Sequence, residues 1–304
     1  MPWPARGAVA AFVQARLNDT MDTQLPHAVI VRRPARQTTG VVFASPHSGR
    51  HYPAGFLAAS RLDPLRLRRS EDGFVDELFA AAPDHGAPLV VATFPRAYCD
   101  ANREAWELDP TMFDDELPPW VNSGSARVAA GLGTIARLVA SGEAIYHGKL
   151  RFAEAEARIR DLWHPFHATL RSEIAATLAA HGACLLIDCH SMPGGALAPR
   201  QLADIVLGDA HGTTCAPQAI RHIETAFRDQ GFTVRRNDPY AGGYITRHYG
   251  RPREGVHAVQ IEISRPLYMD EARMERLALF ADVQTRVTAV IAELACVRAM
   301  LEPL

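Results

Sequence analysis

The strongest constraint on the fold is a rhythm. Short apolar runs rich in branched side chains recur at Val41–Ser45, Leu89–Phe94, Ala183–Cys189, Ile205–Leu207 and Val256–Ile263, and helical spacing fills several of the intervals between them. Runs that are apolar at nearly every position are the mark of strands buried on both faces. The helical intervals are Asp72–Ala82, Phe152–Ala180, Pro217–Gln230 and Glu271–Met300. Strands joined through helices cannot pair as tight hairpins, so the pattern predicts a three-layer α/β fold: a mixed, mostly parallel sheet with helices on both faces. Glu107–Ser125 and Met192–Leu202, with their prolines, glycines and acidic residues, read as long irregular loops. Loops of that length in a compact domain tend to rim a binding site.

Composition sets the remaining bounds. With 304 residues, 48% of them apolar and 22% charged, the chain can bury one large core, and no linker or repeat divides it. The expected organisation is an N-terminal extension over residues 1–25 followed by one catalytic domain over 26–304. The stretch Ala8–Leu17 is interrupted by Gln14 and Arg16, unlike a signal peptide, and no apolar run reaches the ~18 residues of a membrane span. A formal charge of -2 with scattered Lys and Arg argues against nucleic acid and membrane surfaces as partners. The five cysteines are widely spaced and form no CxxC pair, which fits a reducing cytoplasm better than a disulfide framework.

In open α/β sheets ligands bind beyond the carboxyl ends of the strands, so polar residues that directly follow an apolar run carry special weight. Val41–Ser45 delivers Pro46-His47-Ser48-Gly49, Leu89–Phe94 leads to Asp100-Ala101-Asn102-Arg103, Ala183–Ile187 delivers Asp188-Cys189-His190-Ser191, and Val256–Ile261 delivers Glu262. Two strand-end histidines with carboxylates nearby offer the nitrogen and oxygen donors that zinc accepts in open sites. Asp188 lies two residues before His190, on the same strand face, where it can accept the imidazole N–H and orient the ring. Cys189 faces the other way, into the core. Glu262 interrupts an apolar strand, and a carboxylate buried there requires either an ion pair, with Arg265 or Arg247, or a catalytic task.

Taken together, SPHSG (Ser45–Gly49), DANR (Asp100–Arg103), DCHSMP (Asp188–Pro193), GD (Gly208–Asp209), PYAGGYITR (Pro239–Arg247) and QIEISRPLYMDE (Gln260–Glu271) resemble the N-formylglutamate amidohydrolase family, from about Val41 to Arg286. That family is distantly similar to zinc carboxypeptidases and aspartoacylases, with their phosphorylase/hydrolase-like fold. The resemblance implies a zinc-dependent amidohydrolase acting on a linear amide, cleaving the N-formyl group of N-formyl-L-glutamate or a similar acidic N-acyl amino acid, with a place in histidine degradation. It implies His47 and His190 as ligands of one Zn2+ and Glu262 as the general base. Its carboxylate-binding pattern falls on Asn102 and Arg103, with Arg247 and Arg265 as further substrate-side candidates.

The carboxypeptidase-like relatives carry their third ligand three residues after the first histidine, where this chain has Arg50, which cannot ligate a cation. Asp72 is the chosen replacement and Glu71 the fallback; equally, an acidic pair at a helix start caps N–H groups and favours the macrodipole. Tyr146, Lys149, His164 and His167 form a further polar set, read as capping or supporting the site because Pro165 interrupts it and no third ligand is near. Two other readings remain: a related zinc amidase or carboxypeptidase-like hydrolase for another N-acyl amino acid or peptide, and a binding protein that keeps the fold without turnover. A monomer or small homo-oligomer is expected.

Overall fold

The structure is a computed structural model, and it describes residues 27–139, 141–194 and 203–296. The extension over residues 1–25, most of the loop read at Met192–Leu202 and the last part of the helix read to Met300 lie outside the described residues.

A seven-stranded sheet runs in the order β1-β3-β2-β4-β7-β5-β6. Its strands are β1 (Val29–Arg32), β2 (Val41–Ser45), β3 (Leu89–Ala92), β4 (Cys184–Met192), β5 (Ile205–Gly208), β6 (Val234–Arg236) and β7 (Val256–Ser264). β2, β3, β4 and β7 are mutually parallel, β5 pairs with β6 in parallel, and the β1–β3 and β5–β7 pairs are antiparallel. The expected mixed, mostly parallel α/β architecture is therefore the observed one.

Strand periodicity splits the core in two. Val41, Phe43, Leu185, Ile187, Val259 and Ile261 face one way, against the Pro217–Asp229 and Phe280–Leu294 helices. Val42, Ala44, Cys184, Leu186 and Ala258 face the other, against the His164–His181 helix. In the Pro217–Asp229 helix the buried residues Ala219, Ile220, Ile223, Ala226 and Phe227 recur at helical spacing and form one stripe. Each such aliphatic side chain contributes roughly 1.5–3 kcal/mol on burial, enough in sum to hold polar side chains out of water at the strand ends.

The helix expected at Asp72–Ala82 is only Val75–Leu78. Phe74, with φ 63°, breaks the backbone ahead of it, so Asp72 precedes the helix instead of opening it. The helix expected from Glu271 begins at Phe280; a small hairpin of β8 (Met269–Asp270) and β9 (Glu275–Arg276) takes its first turns. The apolar positions there pack locally onto the sheet face, which helical spacing does not distinguish. The helix read from Phe152 is present to His181, with one π-helical turn at Ile159–Trp163.

The turn after β2 passes directly against the end of β3. A Cβ on Gly49 would stand 2.2 Å from the Phe94 carbonyl oxygen and 2.6 Å from the Thr93 carbonyl carbon, and backbone cannot withdraw as a flexible side chain can. Gly49→Ala should destabilise the fold by about 1–3 kcal/mol, read as a lowered urea midpoint; an unchanged midpoint would contradict this close approach.

Candidate active site

Four residues extend the strand face that carries Leu186 and Ala258: Asp188 and His190 on β4, Gln260 and Glu262 on β7. The parallel register sets Asp188 beside Gln260 and His190 beside Glu262, so the polar residues form a block at the carboxyl ends of neighbouring strands. His47 enters from the turn after β2, its ring centroid 4.8 Å from that of His190. Asp72 enters from the segment before the Val75–Leu78 helix, its backbone N–H donating to the His47 carbonyl at 3.0 Å.

The two imidazoles are arranged alike. His47 Nε2 lies 2.6 Å from Asp100 Oδ1, and His190 Nε2 lies 2.8 Å from Asp188 Oδ1. Each carboxylate accepts a hydrogen bond from Nε2–H and turns Nδ1 inward. Both Nδ1 atoms face the same oxygen, Asp72 Oδ2, at 3.4 Å from His47 and 2.8 Å from His190. His47 Nδ1 is buried without a hydrogen-bond partner, a costly state for a polar atom.

Burial alone would draw the His190 imidazole down, but Asp188 and then Asp72 hold it well above its ordinary value. Burial likewise pushes Asp72 upward, and its hydrogen bond with His190 together with the proximity of His47 outweighs it, leaving that carboxyl well below the usual range. His47, Asp72 and His190 bring one donor atom each within 4.8 Å of one another, all buried. Two imidazole nitrogens and a carboxylate oxygen are the donor types that suit a divalent cation of the zinc type, and the unpartnered Nδ1 is an observation that fits such an ion. Glu71, the fallback, points elsewhere: Tyr52 OH donates to it at 2.7 Å and Arg68 Nε at 3.1 Å.

Asp72 keeps its other oxygen for support, accepting from Arg265 Nη2 at 3.0 Å and Ser191 Oγ at 3.2 Å. Arg265 also donates to Ser191 Oγ and to the Arg69 carbonyl, and lies 3.5 Å from Glu271. With its donors so committed, Arg265, expected on the substrate side, holds Asp72. Glu262 therefore lacks the Arg265 ion pair considered as its structural explanation; its hydrogen-bond donor is Gln260 Nε2, at 2.6 Å.

Asp100-Ala101-Asn102-Arg103 binds the site together. Asp100 holds His47, and the Asn102 amide nitrogen stands 3.0 Å from His190 Nε2 while its oxygen accepts from the Ile245 N–H at 2.7 Å. The long helix grips the loop's backbone: Trp163 Nε1 donates to the Arg103 carbonyl at 3.0 Å and His167 Nε2 to the Ala101 carbonyl at 2.8 Å. Tyr249 OH lies 2.8 Å from His167 Nδ1. Burial drives His167 down to about 3, so it stays neutral with its proton fixed toward Ala101. The other members of that polar set lie apart: His164 and Lys149 are exposed, and the Tyr146 hydroxyl accepts from Arg158.

A cavity of about 490 Å³ opens over this cluster, with Asp72, His190 and Glu262 in its wall. Five arginines also line it: Arg96, Arg103, Arg127, Arg247 and Arg265. Arg103 is buried and donates to the Leu132 and Asn102 carbonyls. Arg247 sits on the Tyr244–Tyr249 helix, exposed, with Nε toward the Gly242 carbonyl. Asp100, Arg96, Arg127 and Gln260 escape the motif reading. Asp100 is the first residue of DANR and Gln260 shares a strand face with Glu262, so both carry a signal; Arg127 lies just past the irregular excursion, on the short Ala126–Ala129 helix, and carries none.

Comparison with known proteins places this geometry in context. Residues 39–269 match a family model described as N-formylglutamate amidohydrolase. The N-formylglutamate deformylase of Pseudomonas aeruginosa is 30% identical over 261 residues, covering 84% of this chain and 90% of that protein. The crystal structure of an N-formylglutamate amidohydrolase from Ralstonia eutropha is 38% identical with a TM-score of 0.83, over 88% of this chain and 97% of that one. A gene product of Agrobacterium tumefaciens shares the fold at 21% identity and a TM-score of 0.62, over 88% and 95% of the two chains.

The Glu262 carboxyl is pushed up to about 7, chiefly by burial, with the Asp72 charge adding to it and the His190 and Arg265 charges opposing. The unfolded value is near 4.3, so between about pH 4 and pH 7 the folded chain binds the proton that the unfolded chain has lost, and this group weakens stability as pH rises. In chelator-treated protein, Glu262→Gln should gain on wild type between about pH 5 and pH 8 by on the order of 1–3 kcal/mol. A gap in urea midpoints that stays constant over that range would refute the raised carboxyl.

Proposed function

Because the chain belongs to the N-formylglutamate amidohydrolase family, we propose that it hydrolyses the N-formyl amide of an acidic N-formyl amino acid, N-formyl-L-glutamate above all, giving formate and the free amino acid. The observation that carries this reading is the pairing of a buried His47–Asp72–His190 cluster with a desolvated Glu262 beside His190, under an arginine-lined cavity. His47 Nδ1, His190 Nδ1 and Asp72 Oδ2 would hold one divalent ion, Zn2+ by the nature of the donors. Bound there, such an ion supplies Lewis acidity to a water and to the amide carbonyl.

The chain's own groups do the rest. Asp100 and Asp188 keep each Nε2 protonated and each Nδ1 available as a lone pair, and Arg265 with Ser191 fixes the carboxylate between them. Glu262, with a pKa near the working range, takes a proton from the attacking water and returns it to the departing amine. Its Gln260 hydrogen bond aims the carboxyl. Arg103 and Arg247 are among the guanidiniums in reach of the substrate's carboxylates, a planar fork matched to a planar acceptor.

Glu262→Gln should keep about one metal ion per chain by elemental analysis yet lose about 10²- to 10⁴-fold in turnover; undiminished turnover overturns its role as base. Chelation should abolish hydrolysis and added Zn2+ restore it, and full activity in metal-free protein would end the metal-dependent scheme. Arg103→Ala should act mainly on KM. A panel of formyl-, acetyl- and succinyl-amino acids separates this reading from a hydrolase of other N-acyl groups, and hydrolysis of none of them leaves a binding protein.

A further inference from the structure

Arg127 does not share the ties of the other well-held arginines around the cavity. Arg96 pairs with Asp100 at 2.9 Å and Arg265 with Asp72 at 3.0 Å. Arg127 lies on the short Ala126–Ala129 helix, is exposed, lines the cavity, and among the described residues makes no hydrogen bond or ion pair with its side chain. A lone exposed arginine is commonly a solvated charge. This one stands close enough to the buried Arg103 for their like charges to interact. Burial together with Arg96 and Arg127 depresses the Arg103 guanidinium despite the nearby Asp100. Two guanidiniums facing one cavity with too little negative charge between them make a place for an anion.

The wall beside them has a second character. Leu132, Ala136 and Leu138 line the same cavity, and the chain folds back tightly enough to make one surface of them and Arg127. Leu132 N–H donates to the Arg127 carbonyl at 2.8 Å, Leu138 N–H to the Gly131 carbonyl at 3.1 Å, and Arg103 Nε to the Leu132 carbonyl at 2.9 Å. The loop is also anchored to the catalytic framework. Thr134 N–H donates to the Glu107 carbonyl and Asp100 N–H to the Thr134 carbonyl, at 2.9 Å and 2.8 Å. Gly133 approaches the Glu107 carbonyl so closely that a Cβ there would stand 2.2 Å from its oxygen. The position of this wall relative to the histidines is therefore fixed by backbone.

Resting on the hydrolase reading above, we propose that the 127–138 loop is the side-chain subsite: Leu132 and Leu138 flank the substrate's methylenes, and Arg127 grips its distal carboxylate, making Arg127 the residue that selects a dicarboxylic amino acid. An apolar passage that ends in a guanidinium matches two CH2 groups ending in a carboxylate, with Arg103 left for the carboxylate nearer the scissile amide. A neutral side-chain amide of the same shape would leave the guanidinium without its charged partner.

The test compares kcat/KM for N-formyl-L-glutamate and N-formyl-L-glutamine in wild type, Arg127→Leu and Arg127→Lys. The preference for the glutamate substrate should fall about 30- to 100-fold in Arg127→Leu and recover in part in Arg127→Lys. An unchanged preference, whether both substrates suffer equally or neither does, overturns the assignment. Calorimetry with glutarate and with butyrate judges the subsite without turnover: the preference for the dicarboxylate should drop in Arg127→Leu, and an equal preference in both proteins overturns it. Wild type that binds glutarate through Arg127 but hydrolyses neither formyl substrate would refute the hydrolase reading alone.

Discussion

Asp72 is the residue on which the site turns. One of its oxygens faces Nδ1 of both His47 and His190, and the other is held by Arg265 and Ser191. A carboxylate so fully withdrawn from water persists only because every lone pair has a donor or a positive charge near it. The His190 imidazole, held well above its ordinary value by Asp188 and then Asp72, supplies positive charge beside it. His47 Nδ1, which faces the same oxygen, stands without a hydrogen-bond partner.

Precision at that centre is set by a single loop. Asp100 to Arg103 touches His47, His190 and the cavity within four residues, and it is held from behind by Trp163 and His167. Those two lie one helical turn apart, ring against ring with centroids 3.9 Å apart, at the end of the π-helical turn. Such turns insert a residue and re-aim the side chains that follow, and here both ring N–H groups reach backbone carbonyls of one loop. The neutral His167 makes a donor whose direction does not change with pH over the working range. The helix that looks from sequence like simple cover for the sheet is also the back wall of the chemistry.

Around this centre the cavity divides by charge. Carboxylates gather at the strand ends, and guanidiniums line the rest of the wall. Arg96 and Arg265 pair closely with Asp100 and Asp72 and Arg103 shares Asp100 at 3.7 Å, so the attraction left for a ligand comes chiefly from Arg127 and Arg247, with part from Arg103. β4 and β7 supply Asp188, His190 and Glu262, turns and loops supply His47, Asp72 and Asp100, and none of the five arginines lies on a strand. Among the described residues no helix is long and apolar enough to cross a bilayer.

The sequence by itself determined the strands that end in chemistry. Apolar runs are dense in β2, β4 and β7, and the polar residues that close them, His47, Asp188, His190 and Glu262, can sit nowhere but at the sheet's carboxyl edge. The edge strands β1 and β6 and the β8–β9 hairpin left no comparable trace, because short or half-exposed strands are stabilised by neighbours rather than by their own pattern. Only the tertiary structure tells the surroundings of Glu71 and Asp72 apart: the positive φ at Phe74 and the short helix after it accompany one carboxylate beside Tyr52 and Arg68 and the other between the histidines. It also pairs Arg265, open from sequence as a structural partner or a substrate-side residue, with Asp72, and brings Arg127 to the cavity. Those outcomes depend on which segments distant in sequence meet in space, and periodicity along a chain reports a residue's own burial but not the identity of the partner it is buried against.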